Sequence, residues 1–432
     1  MMSSLDCLRY SKLAQNTLWM LGGRGARMVL QAVYFLLIAR ALGPAEYGAF
    51  VGAVALIAIV SPFSACGTGF LLVEQVARDR TAFPRAWGNA LSTTCISGII
   101  LLGLVLVASH LYFGSNVPIT VVLMVGIADL LAVRILDLVA QAFQAVEILQ
   151  KNAELYVALG IGRTGAAIVF ITGMLPSTAT SWATMYLIAA IIAALYALIA
   201  LLKSPLGLPR SRFHLSFSEF RQGLYYAIGL ASQTAYNDID KAMLLRLASL
   251  EATGIYGAAY RIVDVAFQPV ASLTAAAYPR FFRHGNGGIS ESLCFAKRLM
   301  RYAGIYGLIA GVLLFLFAPF LPVFIGHQFA ATSEILMWLS PIVYLRTVHY
   351  FFSNALTGAG LQGIRTAIQV ALAVVNVLLN LWLIPLYSWR GAAWSSVITD
   401  GLLLVSVWIA AELLSTKSET SKSEILGVED PT

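Results

Sequence analysis

Apolar runs separated by short polar connections recur along the whole chain. A helix needs about 20 apolar residues to cross the hydrocarbon core of a bilayer. About twelve runs meet that length, at 17–40, 46–70, 86–112, 118–144, 153–174, 182–202, 222–247, 255–278, 301–325, 334–358, 366–386 and 391–415. The expected fold is an all-α polytopic membrane protein with about 12 transmembrane helices. The longest polar connection, 203–221, falls near the middle of the chain. It divides an N-terminal six-helix bundle, 1–202, from a C-terminal one, 222–415. Phe213, Leu215, Phe217 and Phe220 interleave with basic residues there, so part of this link is amphipathic enough to lie along a membrane surface. Residues 416–432 read as a polar cytosolic tail.

The two halves carry a weak repeat. Arg40-Ala-Leu-Gly-Pro-Ala-Glu-Tyr-Gly-Ala joins the first two spans, and Arg246-Leu-Ala-Ser-Leu-Glu-Ala-Thr-Gly-Ile-Tyr-Gly-Ala joins the seventh and eighth. Six spans lie between them, so both copies have the same orientation. Parallel repeats related by a pseudo-two-fold axis along the membrane normal fit this pattern, with a central site between the halves. The plainer reading is that tight turns at a membrane interface reuse Gly, Pro and Tyr.

Composition agrees with the spans: 59% of residues are hydrophobic, 11% are charged, and the mean hydropathy is +0.80, which excludes a soluble globular protein. The net charge of +7 would point to nucleic acid in a soluble chain. Here it follows from loop asymmetry, and no nucleic-acid partner is expected. Roughly eighteen Lys and Arg fall in one set of connections and two in the other, which places both termini in the cytosol. Arg9 and Lys12 precede a full-length span with no cleavable-signal pattern, as in a retained signal anchor. The outer loops are turns, too short for a catalytic domain. Cys7, Cys66, Cys95 and Cys294 have no metal-type spacing, no disulfide is expected, and the five histidines are scattered. A phosphate-binding Walker loop is lacking. Neither an enzyme nor a cofactor is therefore expected.

The informative residues are polar ones inside spans. Arg24 and Arg27 sit one turn apart in the first span, and Gln31 extends their face. A basic residue at the centre of a span costs about 2.5–3.5 kcal/mol on the insertion scale, so this face must look into a wet cavity or onto acids. Arg134, Lys241, Arg261 and Arg346 add further intramembrane cations. Together with Arg24, Arg27 and Gln31 they form the expected cationic substrate cavity. Asp129, Asp238, Asp240, Asp264 and Asp400 are candidates for proton or cation coupling. Each also has a structural reading. Arg134–Asp137 and Arg261–Asp264 have the spacing of ion pairs within one helix, and Asp129, Asp240 or Asp400 could pair with the first-span arginines. An excess of interior positive charge points to an anionic cargo.

Leu42-Gly-Pro-Ala-Glu-Tyr-Gly48, following an Arg-containing first span, resembles the opening of polysaccharide transporters. These are the O-antigen flippase-like branch of the multidrug/oligosaccharidyl-lipid/polysaccharide exporter superfamily. Asn237-Asp-Ile-Asp-Lys241, Gly254-Ile-Tyr-Gly-Ala-Ala-Tyr-Arg261 and Tyr278-Pro-Arg280 are similar to the pattern at that family's seventh and eighth spans. The resemblance implies a bacterial inner-membrane flippase with no enzymatic activity. It would carry polyprenyl-pyrophosphate-linked oligosaccharide to the outer leaflet by alternating access, for O-antigen, capsule or exopolysaccharide. Its expected partners are the lipid-linked oligosaccharide, membrane lipids, and a glycan polymerase with its chain-length machinery. The pyrophosphate would supply the anion that the cationic face calls for. A multidrug exporter of the same superfamily is the nearest alternative, although cationic drugs fit poorly with two first-span arginines. A peptidoglycan-precursor flippase is expected to carry extra C-terminal spans. A glycan polymerase or ligase is the remote alternative and lacks an outer loop.

Overall fold

The computed structural model describes residues 4–113, 116–146, 148–204, 206 and 217–426. These residues form helices joined by turns. Two compact units are present, Met1–Gly254 and Ile255–Thr432.

The first unit opens with α1, Ser4–Val60, which holds both of the first two expected spans. They are divided at Gly43, whose φ of 74° is non-helical, and Pro44 follows it. Glycine accepts that φ at no steric cost, and proline is at home in the first turn of the next helix. The expected span 46–70 ends early. Pro62 opens a 3-10 turn at Ser61–Phe63, and Cys66 and Gly67 adopt φ of 42° and 66°. A separate helix, α2 (Thr68–Arg78), then begins. Asp79 caps the turn that follows, accepting from the Thr81 N–H at 2.9 Å; Thr81 holds its carboxyl below the usual range.

Next come α3 (Phe83–Phe113), α4 (Ile119–Ile127), a π-turn at Ala128–Ala132, and α5 (Val133–Ala145). They are followed by α6 (Leu149–Ile171), α7 (Ala179–Leu202) and α8 (Phe217–Leu247). The core of this unit joins Leu72, Trp87, Leu136, Phe143, Leu155 and Leu201, with Ala193 and Ala197 letting α7 approach. Small residues at such interfaces replace the hydrophobic drive that lipid does not supply. The compact units divide at Gly254, beyond the 203–221 link, because α8 packs along α1. Residues 207–216 of that link lie outside the described residues. Gly48 and Gly254, one from each repeat segment, lie at a close backbone contact inside this unit. A Cβ on Gly48 would collide with the Leu250 carbonyl, and one on Gly254 with the Pro44 carbonyl. Only glycine permits that backbone contact.

The second unit takes up α9 (Leu250–Gly285) from Ile255 and adds α10 (Ile289–Phe317), α11 (Leu321–Ile325) and α12 (Ala331–Leu339). It ends with α13 (Pro341–Gly358), α14 (Gln362–Tyr387) and α15 (Trp389–Leu426). Helix α13 is its centre, with an almost unbroken buried stretch from Arg346 to Thr357. It packs on a glycine face of α10, where a Cβ on Gly307 would lie 2.9 Å from Thr347 Oγ1. Asn376, Asn380, Ser395 and Thr399 hydrogen-bond α14 to α15. Ile305, Leu308, Leu378, Trp382 and Leu413 are exposed and form part of the apolar exterior that lipid solvates.

Among the described residues, nine helical segments are long and apolar enough to span a membrane. The first two expected spans count as one, and 222–247 and 255–278 fall in α8 and α9, which are not among the nine. Asp238, Asp240, Lys241, Arg261 and Asp264 lower the hydropathy of those two helices.

Candidate functional site

A cavity of about 220 Å³ opens in the first unit. Its polar lining is Arg27 from α1, Ser61 from the 3-10 turn, Asp129 from the π-turn, Arg134 and Asp137 from α5, Tyr156 and Arg163 from α6, and Tyr186 from α7. The π-turn sets its geometry. Wider turns of this kind recur at functional sites because they break the helical register. Here Asp129 faces α6 and α7, while Arg134 Nε reaches back to the Asp129 carbonyl at 3.3 Å.

Two ion pairs brace the walls. Arg163 Nη2 lies 3.2 Å from Asp129 Oδ1, and the Tyr186 hydroxyl donates to the same carboxylate at 3.0 Å. The Arg163 guanidinium also stacks 4.1 Å from the Tyr186 ring. Arg134 Nη1 pairs with Asp137 Oδ2 at 3.0 Å, and Tyr156 donates to Asp137 Oδ1 at 2.9 Å. Arg27 is different. It is exposed, and its guanidinium lies 4.9 Å from the Tyr156 ring centre. The acids that could have neutralised it are committed elsewhere: Asp129 to Arg163, Asp240 to Lys241, and Asp400 to Arg346. Among the described residues of the cavity, three guanidinium groups thus face two carboxylates, and the surplus charge sits on Arg27.

The other sequence candidates divide. The Arg24 side chain lies outside the described residues, and Gln31 is half-buried but does not line the cavity. Lys241 is buried and pairs with Asp238 at 2.9 Å and Asp240 at 3.6 Å, so its charge is already answered. Arg346 belongs to the second unit, where it contacts Asp264 at 3.4 Å, Asp400 at 3.7 Å and the Tyr260 hydroxyl. Arg261 is half-buried on the same helix as Asp264, one turn before it. The Arg134–Asp137 pair forms as its spacing indicates. Arg163, Tyr156 and Tyr186 were not among the site residues read from the sequence. One signal was available: Tyr156 and Arg163 are seven residues apart and share a helix face.

The family described as polysaccharide biosynthesis protein matches residues 13–284. The chain belongs to that family. Among curated proteins none matches it. Solved structures share its fold over nearly its full length. An inward-facing multidrug resistance transporter of the MATE family, in the MOP superfamily, superposes with a TM-score of 0.73 at 14% identity, covering 91% of this chain and 96% of that one. The lipid II flippase MurJ in an inward closed conformation gives 0.67 at 12% identity, covering 97% and 94%. A MATE structure in a bent conformation gives 0.63 at 15%, covering 95% and 97%. The family member is thus a multi-pass, all-helical membrane protein with the fold of that superfamily's transporters.

Proposed function

We propose that this protein is a flippase that moves polyprenyl-pyrophosphate-linked oligosaccharide from the cytosolic to the outer leaflet of a bacterial inner membrane. The termini are cytosolic in this reading, and the glycan serves O-antigen, capsule or exopolysaccharide assembly, upstream of a polymerase. The carrying observation is the surplus charge of Arg27 at an arginine-lined cavity. Arginine presents a planar fork of donors that matches phosphate oxygens, and pairs of this kind are strong where water is scarce. The volume favours the anionic linker over the glycan, since pockets for drug-sized molecules run from about 300 to 1,000 Å³. The sugars would occupy wider space as the bundles alternate, and the lipid tail would stay in the bilayer. The family's name and the likeness to a lipid II flippase support a lipid-linked glycan.

A second reading, a multidrug exporter, is favoured by the MATE likeness. Surplus positive charge on Arg27 would repel cationic drugs, which weighs against it. The two separate in a deletion strain by leaflet-resolved analysis of lipid-linked glycan. Accumulation on the cytosolic face, rescued by wild type but not by Arg24→Ala/Arg27→Ala at equal expression, supports the flippase. Normal outer-face glycan with lost drug efflux overturns it.

A further inference from the structure

The second unit buries a titratable cluster that cargo binding does not use. His349 is 3% exposed and Asp400 1%. His349 Nε2 lies 3.6 Å from Asp400 Oδ1, and Arg346 Nη2 lies 3.7 Å from Asp400 Oδ2. Neither ring nitrogen of His349 has a hydrogen-bond partner among the described residues. A buried imidazole is usually satisfied on at least one nitrogen. This one instead stands beside a buried carboxylate, a fraction of an ångström beyond hydrogen-bond range.

We propose that His349 and Asp400 form a proton-binding site, with Arg346 as the fixed charge beside it. In the loaded state His349 Nε2 carries a proton taken from water, and the imidazolium donates to Asp400 Oδ1. In the empty state that N–H bond has broken, the proton has returned to water, and Arg346 still faces the Asp400 charge. No other bond forms or breaks. Loading therefore changes how strongly Asp400 holds Arg346, and Arg346 also holds Asp264 and Tyr260 on α9. Proton occupancy is in this way tied to the packing of α9, α13 and α15.

The geometry selects a proton over a metal cation. Both carboxylate oxygens already face a nitrogen group, Oδ1 the imidazole and Oδ2 the guanidinium. A metal ion at Asp400 would sit against a permanent positive charge, whereas a proton needs no added space. The groups facing the pair come from every neighbouring element. Helix α9 brings Tyr260 and Asp264, α13 brings Arg346 and Tyr350, and α14 brings Arg365. Helix α10 presents glycines to α13, and its Glu291, Lys297, Arg298 and Arg301 are exposed. Arg365 acts from a distance, since its Nη1 donates to Thr357 two turns along α13. Polar groups lead away from the pair on two sides. Asp264 is 37% exposed at its side chain. His349, Ser353 and Thr357 follow one another at four-residue spacing on one face of α13, and Ser353 Oγ is buried without a partner among the described residues.

This inference deepens the transporter reading by naming a site for its coupling ion, and its test requires no cargo. The full-length protein, in lipid nanodiscs with isotope-labelled histidine, is titrated by NMR. The chain has five histidines, and His349→Gln, or His349→Asn where Gln does not fold, assigns one resonance by its loss. That resonance is expected to move with pH across the range in which the protein stays folded, as a group that gains and loses a proton does. Asp400→Asn is expected to displace the midpoint by about one pH unit or more. A His349 resonance that stays unchanged across the range, or that titrates identically in Asp400→Asn, overturns the proposal. Either result leaves the flippase reading standing, and a failed leaflet assay leaves the titration standing.

Discussion

Arg27 and Arg163 line one cavity, yet their removal has opposite consequences. Arg163 has side-chain exposure of 16% and is bound to an equally buried Asp129 at 3.2 Å. Asp129→Ala removes the carboxylate that receives Arg163 and Tyr186 together and leaves a buried guanidinium without the acid it pairs with. Breaking such a pair from one side costs about 3–5 kcal/mol. Arg27 is exposed and touches one aromatic ring, so Arg27→Ala costs about 1 kcal/mol or less. Thermal unfolding of purified protein in detergent reads the first number, and the leaflet-resolved glycan assay reads function. Asp129→Ala is expected to lower the unfolding midpoint strongly, and Asp129→Ala/Arg163→Met to recover part of the loss because the stranded charge is gone. Arg27→Ala is expected to unfold with wild type and to fail in transport. Equal destabilisation by Asp129→Ala and Arg27→Ala, or an Arg27→Ala protein that transports normally, refutes the division into brace and binding group.

Further outcomes follow from the packing. Gly48→Ala or Gly254→Ala places a methyl group against a backbone carbonyl and is expected to destabilise the protein by about 1–3 kcal/mol, read by thermal unfolding. Asn380→Ala strips the Asn376 side-chain carbonyl and the Ser395 hydroxyl of a shared partner. It is expected to cost about 1–2 kcal/mol in the same assay. Arg27→Lys keeps the charge and loses the two-pronged donor, so transport is expected to fall between wild type and Arg27→Ala in the glycan assay.

Much of this architecture is legible in the chain, because a run long enough to cross a bilayer leaves little choice but a helix. The Gly43–Pro44 break between the first two helices is also readable, since both residues punctuate a helix by known means. The early end of the second span is readable only in retrospect, through Pro62 and the left-handed Cys66–Gly67. Arg27, Arg134 and Asp129 line one cavity. Lys241 does not join them, because Asp238 and Asp240 beside it already answer its charge. Arg163, Tyr156 and Tyr186 do not stand out in the sequence, because no acid lies within one turn of Arg163 on α6 and tyrosines near span ends usually anchor at the interface. The π-turn that aims Asp129 has no sequence signature here: Ala128-Asp-Leu-Leu-Ala132 could equally continue an α-helix. Which acid answers which arginine depends on helix faces meeting across the bundle, a distance no spacing within one helix encodes.

Binding of polyprenyl pyrophosphate, compared with uncharged polyprenol, by the purified protein and its Arg27→Ala variant tests the cationic cargo site most directly. Hydrogen bonds to charged groups contribute about 1.5–3 kcal/mol. Wild type is therefore expected to prefer the pyrophosphate by roughly ten- to a hundredfold, and Arg27→Ala to lose most of that preference. Equal affinity for the two lipids, or a preference that survives Arg27→Ala intact, would contradict a cargo site built on this arginine.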